Sequence, residues 1–197
     1  MTQTERIKCF FDERAAHWDA RGHADNTALL RGILSAAGLT EGARILDIAC
    51  GTGVLFPLLL ETNPQLIHGI DLSDEMVKHA RKKTEDPRIE LFAADFYEFS
   101  PACHYDFAVA YNAYPHFTEK ARFAKKLHAL LGKNGRFLIM HGRGREMINA
   151  HHNQGEAVHV SVPLDPCEEE ALAFEGLFRI DLKIDTESCY AISGTAM

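Results

Sequence analysis

Ile45-Leu-Asp-Ile-Ala-Cys-Gly51-Thr-Gly53-Val-Leu55 reads as a buried strand that ends in a carboxylate and then turns sharply through two glycines into a helix. Glycine tolerates positive φ and carries no side chain, so such a turn lets backbone approach a ligand closely. The carboxylate, Asp47, indicates the kind of ligand. An anion at this place would repel a pyrophosphate, whereas a ligand with cationic groups would be drawn to it. Around it Ile45, Leu46 and Ile48 are nearly continuous, as in a parallel strand buried on both faces.

Working outward, the spacing of Ile7, Phe10, Phe11, Arg14 and Trp18 predicts a helix over 3–18. A second helix is expected over 25–37, with Asp25 or Asn26 as N-cap and Gly38 as its stop. Beyond the glycine turn a helix runs to about Glu61, and 65–71 is a second strand that also ends in a carboxylate, Asp71. Ser73 caps the next helix, with Asp74 and Glu75 in its first turn and Arg81, Lys82 and Lys83 in its last, a polarity that complements the helix dipole. A third strand, 88–93, leads to Asp95, and a fourth, 105–110, leads to Tyr111-Asn112. Thr118 is expected to cap a helix to Leu131, and Gly132 and Gly135 precede a fifth strand, 136–140, that ends at His141. Then the pattern loosens: a short helix over 143–152, an extended stretch over 155–162, a helix over 167–175, and a hairpin of 177–184 and 188–193. Alternating strand and helix is the pattern of a doubly wound α/β sheet, which puts the carboxyl ends of its strands on one edge, where ligands bind.

Composition narrows the function. A chain of 197 residues suits one domain, and 46% apolar with 25% charged residues is ordinary for a globular protein. A net charge of −7 argues against a broad nucleic-acid surface. No run reaches the roughly 20 apolar residues of a membrane span, and the N-terminus lacks the apolar region of a signal peptide. Five cysteines without a pairing framework (Cys9, Cys50, Cys103, Cys167, Cys189) read as reduced thiols in a cytoplasmic protein, with Cys50 a small packing residue in the turn.

Four polar residues, Asp47, Asp71, Asp95 and Asn112, stand at the ends of successive strands, where one ligand would meet them all; acids near strand ends also cap helices, but recurrence on four successive strands favours the ligand. Asp71 follows Gly51 by 20 residues, the usual distance for an acid that accepts from ribose hydroxyls. A dinucleotide reading would require glycine at position 56, and phenylalanine stands there.

With these pieces in place, the chain resembles the class I S-adenosylmethionine-dependent methyltransferases. The matching motifs are Asp47-Ile-Ala-Cys-Gly-Thr-Gly53, Gly69-Ile-Asp71-Leu-Ser, Ala93-Ala-Asp95-Phe, Tyr105-Asp-Phe-Ala-Val-Ala-Tyr111 and Leu130-Leu-Gly-Lys-Asn-Gly-Arg-Phe-Leu-Ile. One departure is Ala49, at a place often held by glycine. The resemblance implies a Rossmann-like seven-stranded sheet, mostly parallel with an antiparallel C-terminal strand. It also implies S-adenosyl-L-methionine as cofactor, bound by Asp47, Ala49, Gly51, Gly53, Asp71, Leu72, Met76, Asp95, Phe96, Tyr111 and Trp18. Residues 1–40 would form a helical lid, 41–141 the cofactor-binding half, and 142–197 the acceptor side of a single domain, as a monomer or homodimer.

Methyl transfer by in-line displacement discharges a sulfonium, so proximity, alignment and water exclusion are the main tools, and a base is needed only where the acceptor must lose a proton. Among 11 histidines, His141 ends the fifth strand, His116 follows the fourth, and His151 and His152 share a short helix with Asn149. His141, His116 and His152 are the candidates for catalysis, as a general base or as ligands of a metal that orients the acceptor; solvated or capping histidines are the other outcome. One of His151 and His152 is expected to point inward. Arg143 and Arg145 could meet an acceptor carboxylate or phosphate. The expected acceptor is a small molecule with an apolar body. An aminopropyl transferase of the same fold and a non-catalytic cofactor-binding module are the other readings.

Overall fold

The strand that ends at Asp47 lies in the middle of a seven-stranded sheet among the described residues, ordered β3-β2-β1-β4-β5-β7-β6. In the computed structural model, which describes residues 1–21 and 26–197, the strands are β1 (Arg44–Ile48), β2 (Leu66–Asp71), β3 (Ile89–Ala93), β4 (Tyr105–Tyr111), β5 (Leu131–His141), β6 (Phe178–Asp185) and β7 (Tyr190–Ala196). All pairings are parallel except those of β7, which runs antiparallel to both β5 and β6. The order reverses between β1 and β4, and Ile48, Ile70 and Ala110 lie in register there, so three carboxyl ends finish at one level.

Alternation along the strands feeds two apolar layers. Ile45, Ile67, Phe107, Val109 and Leu138 face one, while Leu46, Ile48, Ile70, Ala108, Ala110 and Ile139 face the other. On the first side pack α2 (Thr27–Ala36) and α3 (Phe56–Leu60); on the second packs α5 (Lys120–Leu130), whose Phe123 is fully buried among Phe96, Tyr114 and Phe117. The remaining helices are α1 (Gln3–Asp12), α4 (Asp74–Arg81), α6 (Arg145–His152) and α7 (Cys167–Glu170). Among the described residues no helix is long and apolar enough to cross a membrane.

Several boundaries differ from the expectations. The first helix stops at Asp12 rather than at 18 and continues as 3-10 turns, Ala15–His17 and Asp19–Arg21. Asp12 and Asp19 bind Ser73 and Thr52 respectively, which holds the chain to the sheet edge rather than along a straight helix axis. Asn26 caps α2 by accepting from the Leu29 N–H (3.1 Å); Asp25 lies outside the described residues. α3 begins only at Phe56, because Gly51 (φ 55) and Gly53 (φ 81) hold the preceding residues out of helical geometry. Thr118 does not cap α5; Glu119 sits at the N-cap and its side chain makes no cap hydrogen bond. β5 starts at Leu131, not at 136, and its pairing with β4 absorbs the extra length as a register shift between Tyr105 and Phe107. The stretch over 155–162, expected to be extended, contains a 3-10 helix, Gly155–His159, and α7 gives way at Ala171 to another.

Candidate functional site

The glycine turn is built around one carboxylate. Asp71, 8% exposed at the end of β2, accepts from the Gly51 N–H through Oδ2 (2.8 Å) and from the Ser73 N–H through Oδ1 (2.8 Å). A Cβ placed on Gly51 would meet nothing within 4 Å, so the backbone there borders open space. At Gly53 a Cβ would fall 2.4 Å from the Phe56 ring, and at Gly69 3.0 Å from it. Phe56 therefore fills the space that these two glycines leave, which is how a phenylalanine is accommodated at this position.

Over this turn opens a cleft of ≈ 330 Å³. Its sheet side is lined by Ala49, Cys50, Gly51, Thr52, Asp71, Leu72, Met76, Asp95, Phe96, Tyr111, Asn112, His116 and His141. Ile7, Phe10, Phe11 and Trp18 cover it from the N-terminal segment, and Arg143, Met147, Ile148, His151 and His152 from the segment after β5. Thus the structure brings together nearly all the residues picked from the sequence. Asp47 and Gly53 do not line the cleft: Asp47 is 2% exposed, with Oδ2 lacking a hydrogen-bond partner, and Gly53 serves the turn.

Burial raises the pKa of both carboxylates. Asp47 is pushed well above the usual carboxylate range by burial and then by the negative charge of Asp71. Asp71 is pushed up to about 6 by burial, which the N–H groups of Ser73 and Gly51 only partly oppose. Two buried acids with too little positive charge around them would gain from a cationic ligand. Cys50 is buried and its thiol is pushed up, so it is held as an inert packing group. Asp95 accepts from the Tyr97 N–H (2.8 Å) and borders the cleft, so it is both a turn residue and an available acceptor. Phe96 turns its ring toward Phe123 and Phe117, with centroids 5.0 and 5.5 Å away.

The histidines gather at the other end. His116 donates through Nδ1 to the Val160 carbonyl (2.9 Å), and His152 through Nδ1 to the Ile148 carbonyl (2.9 Å); their rings lie 5.1 Å apart. His141, 2% exposed, has Nε2 buried without a partner. Burial keeps all three neutral, with His116 lowered to about 4, His141 lowered to about 3, and His152 lowered as well. Both His151 and His152 border the cleft, His151 exposed and His152 half-buried, so the expected division between them is one of depth. Among the described residues no group of three or more His, Cys, Asp or Glu side chains could hold a metal ion. Arg145 is taken up by Asp185 (2.9 Å), and Asn149 pins residue 164 through two hydrogen bonds.

Sequence reasoning missed the fastenings of the lid. Asp12 accepts from the Ser73 hydroxyl (2.6 Å), Asp19 from the Thr52 hydroxyl (2.7 Å), and Lys8 bridges Asp12 and Asp74. It also missed Lys120, which lies over the Tyr114 ring, 4.0 Å from Glu170, and whose pKa burial lowers to about 8. The Asp12–Ser73, Asp19–Thr52, Lys8–Asp74 and Lys120–Glu170 contacts join residues distant in sequence and leave no local pattern; the Lys8–Asp12 pair, four residues apart on one helix, was the signal within reach.

Residues 45–135 match the family model described as "Methyltransferase domain". A malonyl-[acyl-carrier protein] O-methyltransferase of Priestia megaterium is 30% identical over 142 residues, covering 71% of this chain and 52% of that protein. The chain spans about half the length of the curated relatives it matches. Among solved structures, the N-methyltransferase NodS of Bradyrhizobium japonicum in complex with S-adenosyl-L-homocysteine superposes with a TM-score of 0.76 at 15% identity, over 97% of this chain and 98% of that one. A SAM-dependent methyltransferase of Aquifex aeolicus does so with 0.70 at 18% identity, over the whole of both chains. The chain has the fold of the class I S-adenosylmethionine-dependent methyltransferases.

Proposed function

We propose that this chain transfers a methyl group from S-adenosylmethionine to a small molecule, within one domain whose residues 1–40 act as lid, 41–141 as cofactor half and 142–197 as acceptor side. The Asp71 carboxylate carries the reading. It stands at the end of β2, one strand away from the switch point between β1 and β4, its two oxygens oriented by Gly51 and Ser73, beside backbone that borders open space. A carboxylate offers about four lone-pair sites; two are used, and two are left for ribose hydroxyls.

The other residues fall into place around it. Ala49 and Gly51 would bring backbone to the amino-acid end, and Asp47 would act on its ammonium as a buried charge behind the turn rather than by contact. Leu72, Met76 and Phe96 would flank the adenine, Asp95 would receive its amino group, and Tyr111 and Trp18 would close over the remainder. When bound, the cofactor supplies an activated methyl on a sulfonium, whose transfer by in-line displacement leaves a neutral thioether. The protein's part is to align and to exclude water, and the apolar undersides of Ile7, Phe10 and Phe11 suit that task. His116, His141 and His152, kept neutral by burial, are the imidazoles available to an acceptor that carries a proton.

The Asp71→Asn substitution tests the proposal. Asparagine keeps the size of the side chain and loses the charge and one acceptor, so affinity for S-adenosylhomocysteine in calorimetry should fall by roughly tenfold or more, while the circular-dichroism spectrum stays unchanged. Unaltered affinity in a folded variant would refute the assignment.

A further inference from the structure

We propose that the methyl acceptor is an uncharged hydroxyl compound, a phenol or comparable alcohol on an apolar body, whose O–H is received by Nε2 of His116 or His152. This rests on the methyltransferase reading above and names its substrate class.

Tautomers are the starting point. A carbonyl oxygen can only accept, so the ring nitrogens facing Val160 and Ile148 must carry their hydrogens. In a neutral imidazole that leaves the lone pair on Nε2 of both His116 and His152. Burial is the main source of their neutrality; His152 and the Lys120 ammonium add to it at His116, and His151 adds to it at His152. The acceptor end of the cleft thus offers hydrogen-bond acceptors on His116 and His152, while the Nε2 of His141 is buried without a partner.

Three acceptor chemistries respond differently. An ammonium would add positive charge where imidazoles already resist protonation and would lack a nucleophilic lone pair. A carboxylate would turn its lone pairs against those of the rings. A neutral hydroxyl donates its proton to a ring and presents a lone pair to the methyl carbon. In the reaction the hydroxyl oxygen forms the bond to that carbon, the carbon–sulfur bond breaks with its electron pair passing to sulfur, and the hydroxyl proton goes to an imidazole Nε2. An apolar body has Phe11, whose ring lies 4.9 Å from that of His116, together with Phe117 and Met147 to pack on. The cation on this rim that could draw a carboxylate instead is Arg143, which is exposed and, among the described residues, has no ion-pair partner.

The test uses three para-substituted rings of one size: 4-ethylphenol, 4-ethylbenzoate and 4-ethylbenzylamine. Each is titrated into the protein saturated with S-adenosylhomocysteine, and binding is followed by calorimetry and by the fluorescence of Trp18, the one tryptophan. The phenol should bind roughly tenfold or more tighter than the other two, since the benzoate has no hydrogen to donate to the rings and the amine carries a charge into a buried site. His116→Phe and His152→Phe should each erode that preference while leaving S-adenosylhomocysteine affinity intact. Equal binding of the three, binding of none, or a best-bound benzoate that Arg143→Gln releases would overturn the proposal. Failure to bind S-adenosylhomocysteine would instead sink the reading beneath it.

Discussion

Gly51 and Gly53 are both in the left-handed region, yet the structure asks different things of them. At Gly53 a methyl group would collide with the Phe56 ring, and φ is 81. Gly53→Ala should therefore cost about 1–3 kcal/mol of stability, read from chemical denaturation. At Gly51 the same methyl meets open space, so the cost is limited to the conformation, about 1–2 kcal/mol. Because that space is the cleft, Gly51→Ala should weaken S-adenosylhomocysteine binding, seen as a shifted calorimetric midpoint. If the Gly53 variant proves the more stable of the two, this division of labour is wrong. The need for two glycines was legible in the sequence; which one faces the ligand was not, because that depends on where Phe56 packs.

Among the elements, the N-terminal segment is fastened to the glycine turn and to α4 by polar contacts that are only part-buried. The Asp12–Ser73 and Asp19–Thr52 hydrogen bonds tie it to the start of α4 and to the glycine turn, and Ser73 passes the connection to Asp71 through its own N–H. Part-exposed polar links of this sort contribute little to global stability. The Asp12→Ala, Asp19→Ala double variant should accordingly melt within a few degrees of the parent. Yet it should release S-adenosylhomocysteine roughly tenfold faster in stopped-flow fluorescence, as expected for a lid opened by about 1.4 kcal/mol. Unchanged release would show that α1 does not gate the cleft. An amphipathic helix here was legible from Ile7, Phe10 and Phe11; its end at Asp12 was not, since the contacts that bend it come from residues 52 and 73.

Over the whole molecule, the buried titratable groups oppose one another. His141 and His116 are lowered from 6.5 to about 3 and about 4, so between pH 6.5 and 4 the folded state binds fewer protons than the unfolded chain. Their contribution to stability is present above pH 6.5 and is lost as the pH falls. Asp71 is raised from 3.8 to about 6, so over that interval it works the other way, and its stabilising contribution is lost as pH rises through 6. Denaturation at pH 7 and pH 5 should then show His141→Gln losing less stability on acidification than the parent and Asp71→Asn losing more. The same ordering in all three proteins would remove these groups from the pH response.

The sequence alone determined the alternation of strands and helices, the placing of four polar residues at strand ends, and the glycine turn, because these follow from short-range rules: apolar runs, caps and φ preferences. Asp71 could be selected as the central acid from its spacing alone. Only the tertiary structure decided that Asp47 stands behind the turn while Asp71 faces the cleft, that β5 begins five residues early, and that the rings of His116 and His152 meet 5.1 Å apart with their tautomers set. Burial, tautomer and lid fastening all arise from groups that the chain brings together from far apart. A linear pattern holds the identity of those groups but not the distances between them.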